Sequence, residues 1–313
     1  MIARELPNPN SFKDVAQTTF KNQVINTSTT AKYHYPNHTT PHLLVANFNN
    51  TGNYLLNSRP VFINDKFFYF LNAGDRLEIN FRNCPRLETL LIQFSDQFLS
   101  DWLNYKHSSI ISLLENGVVN NNDGWAIPNI PFEYNASVMI HLNRIRTAWQ
   151  IDDEDAILFQ LLESFWILKE GAKQDLARIC AKRKSTREEI YRRLLMAKDF
   201  MHDNFPASPT IDTIAAEACL DKFHFLKLFK SYYGITPHQY LVKLKLEHAH
   251  RLLAVGQHSV FETCHYAGFE SHGTLTNLFK KYYKVLPSEL SKSSGKIWSK
   301  FPILNNIVMG RRS

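Results

Sequence analysis

The chain has 313 residues, 44% of them hydrophobic, and carries 36 Lys and Arg against 29 Asp and Glu. This is enough apolar material for about two domains with cores of their own, which excludes a disordered chain and a small disulfide-stapled protein. The four cysteines lack metal-ligand spacing, the N-terminus lacks an export-signal pattern, and no apolar stretch reaches the roughly 18 residues of a membrane span. We therefore expect a cytoplasmic protein without a membrane segment.

The positive charge is concentrated in the second half of the chain. Residues 182–313 contain 21 Lys and Arg against 11 Asp and Glu, a net charge of +10, whereas residues 1–181 contain 15 against 18, a net charge of −3. Lys and Arg gain from phosphate neutralisation and counterion release. A basic half joined to a mildly acidic one is thus expected if only the C-terminal part faces a polyanion, and a solvated basic surface is the alternative.

The first half predicts β-strands followed by two helices. Aromatic and β-branched segments between about residues 32 and 94 are separated by turn residues such as Ala73-Gly74-Asp75. Short strands at short intervals indicate a small sandwich or barrel. The apolar period then becomes helical over residues 138–149 and again from residue 152 or 153 through about 169. Residues 1–180 are predicted to form this first domain.

The second of these helices is apolar on more than one side. Such a helix must bury against two surfaces, so beyond core packing we consider a partner protomer. The residues assigned to dimerisation are Leu158, Leu161, Leu162 and Phe165. A helix sandwiched within its own domain is the alternative.

A polar segment separates the two halves. Residues 171–185 end in Lys182-Arg183-Lys184 and are interpreted as the linker, and Thr186-Arg187-Glu188-Glu189 predicts a capping box that opens a new helix. A second domain over residues 181–290 follows, and then a basic tail over 291–313. The tail either docks back onto the core or adds nonspecific attraction to DNA, and the sequence does not decide between these.

An internal repeat dominates the second domain. Residues 211–220 align with 260–269 at an offset of 49, and residues 228–237 align with 278–287 at an offset of 50. Each copy predicts a short helix, a tight turn and a second helix, which is a helix-turn-helix unit. Between the copies, Pro237 and Gly256 delimit a helix of 19 residues, roughly 28 Å long. That length is close to one DNA turn of ~34 Å, so a single chain would reach two successive major-groove segments.

Spaced residues of this half form a signature. They are Lys245-Leu246-x-x-Ala249, Val260-x-x-Thr263-Cys264-x-x-x-Gly268-Phe269-Glu270-Ser271, Leu275-x-x-x-Phe279-Lys280 and Pro287. The span from about residue 186 to 290 resembles the DNA-binding domain of the AraC/XylS transcription regulators. The resemblance implies a two-domain α+β chain, with a cupin-like β-barrel and trailing helices before an all-α domain of two helix-turn-helix units joined by a long helix. It also implies double-stranded DNA and RNA polymerase as partners, a homodimer, and an activator that responds to a small-molecule effector in the N-terminal domain.

Base readout requires exposed side chains near the start of each second helix. In the second unit an inward stripe that includes Leu275 and Phe279 turns His272, Thr274 and Asn277 outward, and Gly273 permits close backbone approach. Asn bonds to adenine, His meets guanine acceptors, and the Thr methyl contacts a thymine methyl.

In the first unit, the positions at which family members contact bases are occupied by Phe223, Leu226 and Lys227. Two of these three are apolar, which departs from the usual pattern. They pack on thymine methyls and sugars, or the first unit binds through DNA shape and phosphates. Side chains suited to phosphates are Lys222, Lys230, Lys243, Ser271, Lys280 and Lys281, with plain solvation as the alternative for each lysine.

The sequence gives weaker evidence for a metal site. His34, His38 and His42 are four residues apart, but Pro36 and Pro41 interrupt the helix that would align them on a metal. We expect no metal ion, no cofactor and no enzymatic activity. Two alternatives remain open: a metal-dependent cupin-type enzyme localised by a DNA-binding domain, and a regulator without a ligand that is controlled by its abundance.

Overall fold

The structure, a computed structural model, describes residues 2–3, 5–6, 21–29, 33–49, 51–81, 86–107, 125–147, 153–256 and 258–292. The chain divides into two compact units, Met1–Asp175 and Leu176–Ser313, where the sequence predicts a boundary after residue 180. Residues 149 and 152 of the predicted helices and the tail from residue 293 onward lie outside the described residues. Over the described ranges, no helix combines the length and apolar character needed to cross a membrane.

The N-terminal unit is built on two β-sheets. The strands are β1 (Ile2–Ala3), β2 (Gln23–Thr29), β3 (His34–Thr39), β4 (His42–Asn47), β5 (Gly52–Leu56), β6 (Arg59–Ile63), β7 (Phe67–Leu71), β8 (Arg76–Asn80), β9 (Leu87–Phe94) and β10 (Phe132–Glu133). One sheet has the order β1-β2-β9-β4-β7-β10, and the other has the order β3-β8-β5-β6. Pairing is antiparallel except between β1 and β2. The β-rich first half is confirmed, but the described strands form two separate sheets and not one closed barrel.

Alternation and turn chemistry explain these strands. In β5, Tyr54 and Leu56 are buried while their neighbours are exposed, as expected for a strand with one core face. β5 turns into β6 through Asn57 and Ser58, whose positive φ angles of 51° and 66° fit a tight hairpin. The fully buried Asn47 of β4 joins the two sheets. Its side-chain Nδ2 donates to the Ile63 carbonyl at 2.8 Å, and its side-chain Oδ1 accepts from the Tyr54 hydroxyl at 3.0 Å.

Three helices follow the strands: α1 (Asp96–His107), α2 (Ala136–Thr147) and α3 (Glu154–Ala177). All of α3 except its last two residues belongs to the N-terminal unit. The Phe165 ring of α3 lies 4.7 Å from that of Phe70 and 5.0 Å from that of Phe132, centroid to centroid, so α3 packs on the larger sheet. The four residues assigned to dimerisation are at most 1% exposed; they are Leu158, Leu161, Leu162 and Phe165. These four side chains therefore contact the core of their own unit and not a partner protomer. This corrects the dimerisation assignment in favour of the alternative, a helix sandwiched within its own domain.

The predicted linker is mostly helical. α3 continues to Ala177, and the next helix, α4 (Lys184–Asn204), begins before the predicted capping box. Its N-cap residue, Arg183, makes no side-chain capping bond. The capping-box prediction is wrong because the helix starts at Lys184, so that Thr186 and Glu189 lie inside it. Glu189 instead accepts hydrogen bonds from Arg192 at 2.7 Å and from Arg193 at 2.8 Å.

The C-terminal unit is helical throughout its described part. After α4 and a short 3-10 turn (Phe205–Ala207) come α5 (Ile211–Glu217), α6 (Lys222–Tyr233), α7 (Pro237–Val255), α8 (Val260–Tyr266), α9 (His272–Tyr283) and α10 (Pro287–Lys292). The predicted 19-residue helix is α7, capped by a Thr236–Gln239 capping box at its start and by Gly256 at its end. Two cores form on it: Leu241 and Leu244 join the core of α4–α6, and Leu246, Ala249 and Leu253 join that of α8–α10.

Candidate nucleic-acid interface

Each helix-turn-helix unit is started by side-chain caps. Thr210 caps α5 and Ser259 caps α8, the latter in a capping box with Glu262. Hydrogen bonds from the backbone and hydroxyl of Ser259 lower the pKa of the Glu262 carboxyl. The second helices start in the same way: Asp221 accepts from the His224 amide, and Ser271 accepts from the Thr274 amide. Such caps satisfy amides that have no partner within the helix, and so fix where each helix begins.

The two units have the same backbone at their turns. Cys219 and Gly268, which are 49 residues apart, both have a positive φ, of 52° and 72°. Gly234 and Lys284, which are 50 residues apart, end the second helices with φ of 74° and 63°. Left-handed residues are uncommon outside glycine. Their recurrence at matching positions shows that the sequence repeat is a structural repeat.

In the second unit, α9 presents the predicted face. Leu275 and Phe279 are fully buried, while the side chains of His272, Thr274 and Asn277 are exposed, as is Gly273. The Thr274 hydroxyl lies 2.9 Å from that of Ser271, and the His272 ring nitrogen Nδ1 lies 3.4 Å from the Thr276 hydroxyl. The α9 cap thus engages the Thr274 hydroxyl, while the Thr274 side chain as a whole stays exposed.

In the first unit, α6 has the same exposure order. Exposed, half-buried and buried side chains follow one another identically over residues 221–230 and 271–280. Phe223 is 82% exposed, an unusual position for a phenylalanine. Lys227 is exposed, and Leu226 is half-buried beside the fully buried Phe225. At the offset of 50, the first unit therefore has an apolar ring and a lysine, Phe223 and Lys227, where the second has Gly273 and Asn277.

Superposing the repeat reveals a residue that the sequence reasoning missed. At the offset of 50, the exposed His224 corresponds to Thr274, and Leu226 corresponds to Thr276 and not to a fully exposed position of α9. The imidazole Nδ1 of His224 lies 3.9 Å from the Asp221 carboxylate. The signal was available, because the same offset aligns the flanking Phe229 and Phe279.

The predicted phosphate ligands occupy different surroundings. Lys230, Lys280 and Lys281 are exposed near the ends of α6 and α9. Lys222 donates to the Asp212 carboxylate at 2.8 Å, and Lys243 lies 3.8 Å from the Glu247 carboxylate. The hydroxyl of Ser271 serves as the α9 cap. Since neither α6 nor α9 contains Asp or Glu, their charged side chains are basic.

The spaced histidines of the first half do not converge. His34 lies 3.1 Å from the Glu78 carboxylate, the Nδ1 atom of His38 lies 3.0 Å from the Pro36 carbonyl, and His42 accepts from the Ala73 amide at 3.3 Å. Burial lowers the pKa of His42. In the described part of the chain, no three His, Cys, Asp or Glu side chains are grouped to hold a metal ion.

Two helix-turn-helix units on one long helix, each with an exposed basic helix, define a tandem helix-turn-helix domain of the DNA-binding class. The family model described as "Helix-turn-helix domain" matches residues 214–293. An uncharacterized HTH-type transcriptional regulator of Haemophilus influenzae is 31% identical over 83 residues, which span 26% of this chain and 28% of that protein. The probable transcription factor PqrA of Proteus vulgaris is 31% identical over 83 residues, spanning 26% of this chain and 68% of PqrA. The chain belongs to the AraC/XylS family of transcription regulators.

Longer similarities are weaker. The HTH-type transcriptional activator RhaS of Mannheimia succiniciproducens is 23% identical over 241 residues, covering 77% of this chain and 82% of RhaS. Among solved structures, an AraC-type regulator of Chromobacterium violaceum is 24% identical with a TM-score of 0.32, covering 33% of this chain and 93% of that chain. ToxT of Vibrio cholerae is 14% identical with a TM-score of 0.34, covering 88% and 98%.

Proposed function

We propose that the chain is a sequence-specific transcription regulator that binds double-stranded DNA through α6 and α9. The observation that carries the proposal is the identical exposure order of these two helices, each with basic charges and no acidic ones. A major groove admits one helix, and one DNA turn separates successive groove segments by ~34 Å. The 19-residue α7 between the units is of comparable length.

The two units contact bases by different chemistry in this proposal. In α9, Asn277 and His272 supply hydrogen bonds to base edges. Gly273 lets the backbone come close to the DNA, and the Thr274 methyl contacts a thymine methyl. In α6, Phe223 packs on thymine methyls or sugars, beside Lys227 and the newly identified His224. The lysines and Ser271 hold the phosphates and set the register without adding sequence information.

Selection from a random DNA pool tests the proposal. The full-length protein is incubated with the pool at near-physiological salt in the presence of competitor DNA, and bound sequences are recovered. We expect an enriched motif with two parts about one helical turn apart. A motif recovered only with residues 182–313 means that the first half inhibits binding until its effector arrives. If neither the full-length protein nor residues 182–313 enriches a motif, the proposal is contradicted.

We assign effector sensing to the N-terminal unit. The indole N–H groups of Trp102 and Trp125 are buried, and neither has a hydrogen-bond partner within the part of the chain that the structure describes. Buried N–H groups are normally paired, so the two indoles are candidate donors to an effector or to another part of the chain. The cupin-like character of the unit stays a prediction. A metabolite screen tests the assignment, because an effector that prefers the native state raises the melting temperature; if none does, control by abundance is favoured.

The remaining partners complete the proposal. In this proposal the protein acts on DNA in the cytoplasm without enzymatic turnover and recruits RNA polymerase. Activation of transcription is supported by the similarity to two activators, RhaS and the lactose operon transcription activator of Staphylococcus xylosus. A homodimer would use exposed apolar side chains such as Ile167 of α3, which is 69% exposed. Light scattering of Ile167→Asp tests this surface: a dimeric parent and a monomeric variant are expected, and a dimeric variant contradicts it.

A further inference from the structure

The repeat extends to the helix that precedes each helix-turn-helix unit. Three apolar positions of α4 match three of α7 at a constant offset of 52 residues. The pairs are Leu194 with Leu246, Ala197 with Ala249, and Met201 with Leu253, and all six side chains are at most 2% exposed. Each repeat therefore has three helices: a leading helix (α4 or α7), a short helix (α5 or α8) and an exposed helix (α6 or α9).

A basic side chain comes just before the first apolar position in both leading helices. The Nη1 atom of Arg193 donates to the Cys219 carbonyl at 2.6 Å, and the Nζ atom of Lys245 donates to the Gly268 carbonyl at 2.5 Å. Cys219 and Gly268 are the equivalent left-handed residues of the two turns. Hydrogen bonds from a cation are shorter and stronger than neutral ones. Each leading helix thus holds the turn from which its exposed helix emerges.

Lys245 has a further partner in the first repeat. Its Nζ atom also donates to the Ser208 hydroxyl at 2.5 Å, and Ser208 lies between α4 and α5. Gly268 packs so closely there that a Cβ atom on it would lie 2.1 Å from the Pro206 carbonyl oxygen. Burial lowers the pKa of Lys245. Arg193, by contrast, directs its Nε atom to Glu189 within its own helix.

We propose that Lys245 is a positioning residue that fixes the second helix-turn-helix unit against the first, and so sets the separation and relative orientation of α6 and α9. Arg193 positions only α6. This inference rests on the proposed function, because a fixed separation matters when both helices enter one duplex. Each added base pair rotates the second groove segment by about a tenth of a turn, so a rigid pair of units tolerates few spacings.

A spacing series tests this role. The two-part motif is made with its central spacer shortened or lengthened by one and two base pairs, and Kd is measured with full-length protein. We expect the parent to lose about tenfold in affinity on a two-base-pair change, and Lys245→Met to lose less than about threefold, with weaker binding at the best spacing. An unchanged spacing profile in Lys245→Met overturns the proposal.

Three variants serve as controls for the spacing series. Lys245→Arg should keep the narrow profile, because Arg193 makes the equivalent bond in the first repeat. Arg193→Met should keep the profile and weaken discrimination in one part of the motif. Arg251→Met, which removes an exposed charge from the same helix, should leave the shape of the profile unchanged; a flattened profile in this variant overturns the specific role of Lys245.

A measurement without DNA separates this inference from the proposed function. The amides of Ser208 and Phe269 donate to the carbonyls of Phe205 and Cys264 next to the Lys245 contacts. Their hydrogen exchange should accelerate in Lys245→Met and, less strongly, in Ser208→Ala, while the Leu220 amide of the first turn keeps its rate. Ser208→Ala retains the Lys245–Gly268 bond, and so covers the case in which Lys245→Met does not fold. Unchanged exchange in a folded variant overturns the inference, whether or not a DNA motif is found.

Discussion

The two helix-turn-helix units share a scaffold and differ in the side chains they expose. Both have capped helices, a left-handed residue in the turn and the same order of buried side chains over residues 221–230 and 271–280. On that common backbone, the first unit exposes Phe223, His224 and Lys227, and the second exposes His272, Thr274 and Asn277. Packing thus constrains one set of positions and leaves the other free to carry a different readout in each unit.

Their turns differ in what lies beside them. Cys219 carries a side chain at an exposed turn, whereas Gly268 contacts the backbone of Pro206. At the ends of the exposed helices the glycine is instead in the first unit: Gly234 ends α6, and Lys284 ends α9. Close packing therefore requires a glycine at position 268, whereas at position 234 glycine only avoids the strain of a left-handed conformation that Lys284 adopts with a side chain.

The largest expected effect concerns the second turn. Gly268→Ala should lower the free energy of unfolding by about 3 kcal/mol, because left-handed strain and a clash with the Pro206 carbonyl add together. Cys219→Ala in the first turn should be near neutral, since a side chain is already present there. Urea unfolding of both variants measures this, and an equal loss in the two would show that the turns do not differ as described.

Discrimination by the second unit comes next. Asn277→Ala should remove about 1–3 kcal/mol of preference for one base pair, because a bidentate contact to that base is lost. Binding to the preferred motif and to single-base variants measures the change. If Asn277→Ala and Thr274→Ala both leave discrimination intact, then α9 has been placed wrongly on the DNA.

The lysines should act differently from Asn277. Lys280→Ala combined with Lys281→Ala should weaken binding to all sequences and lower the slope of log K against log salt by about 1.8, because each lysine releases about 0.9 counterions. The control is Lys173→Ala, a side chain 75% exposed in the N-terminal unit, which should leave the slope unchanged. A loss confined to one motif would contradict a phosphate role.

A smaller effect is expected at the ends of the exposed helices. Lys284→Gly should stabilise the protein by about 0.5–1 kcal/mol, since Lys284 has a φ of 63° that glycine adopts without strain. Gly234→Ala should have the opposite sign, from backbone conformation alone, because nothing lies within 4 Å of its added Cβ atom. Thermal unfolding compares the pair, and a destabilised Lys284→Gly would contradict the equivalence of the two ends.

The smallest expected effect is a pH dependence in the second unit. The pKa of His250 is lowered by burial, with its ring 4.6 Å from that of Tyr283. A histidine whose folded pKa lies below its unfolded pKa binds protons more readily when unfolded, so stability falls as the pH drops below about 6.5. His250→Gln should reduce that fall in unfolding experiments from pH 7 to pH 5. An identical pH dependence in the variant would exclude His250 as a contributor.

The sequence predicted those features of the fold that depend on nearby residues, such as helix ends and the spacing of apolar side chains. The bounds of α7 followed from Pro237 and Gly256, and the exposed face of α9 followed from the spacing of Leu275 and Phe279. The left-handed Cys219 and Lys284 were not predictable, since glycine is the usual residue at such positions. His224 was not predicted because the sequence of the first unit alone does not distinguish it, whereas its correspondence to Thr274 at the offset of 50 does.

Long-range contacts account for the remaining differences. Leu158 and Phe165 were considered for a dimer surface because periodicity shows how much of a helix is apolar, but does not show which surface covers it. The sheet order, with β9 between β2 and β4, arises from pairing between distant segments. The Lys245 contacts with Ser208 and Gly268 likewise join residues that the repeat alone does not bring together.

The most direct test of two-part reading compares Asn277→Ala with Phe223→Ala on one panel of DNA. The panel contains every single-base change in both parts of the selected motif, and Kd is measured for the parent and both variants at fixed salt. We expect Asn277→Ala to alter preferences in one part only and Phe223→Ala to alter the other part only. If either variant changes both parts equally, or if both act on the same part, then the two units do not read two segments of DNA.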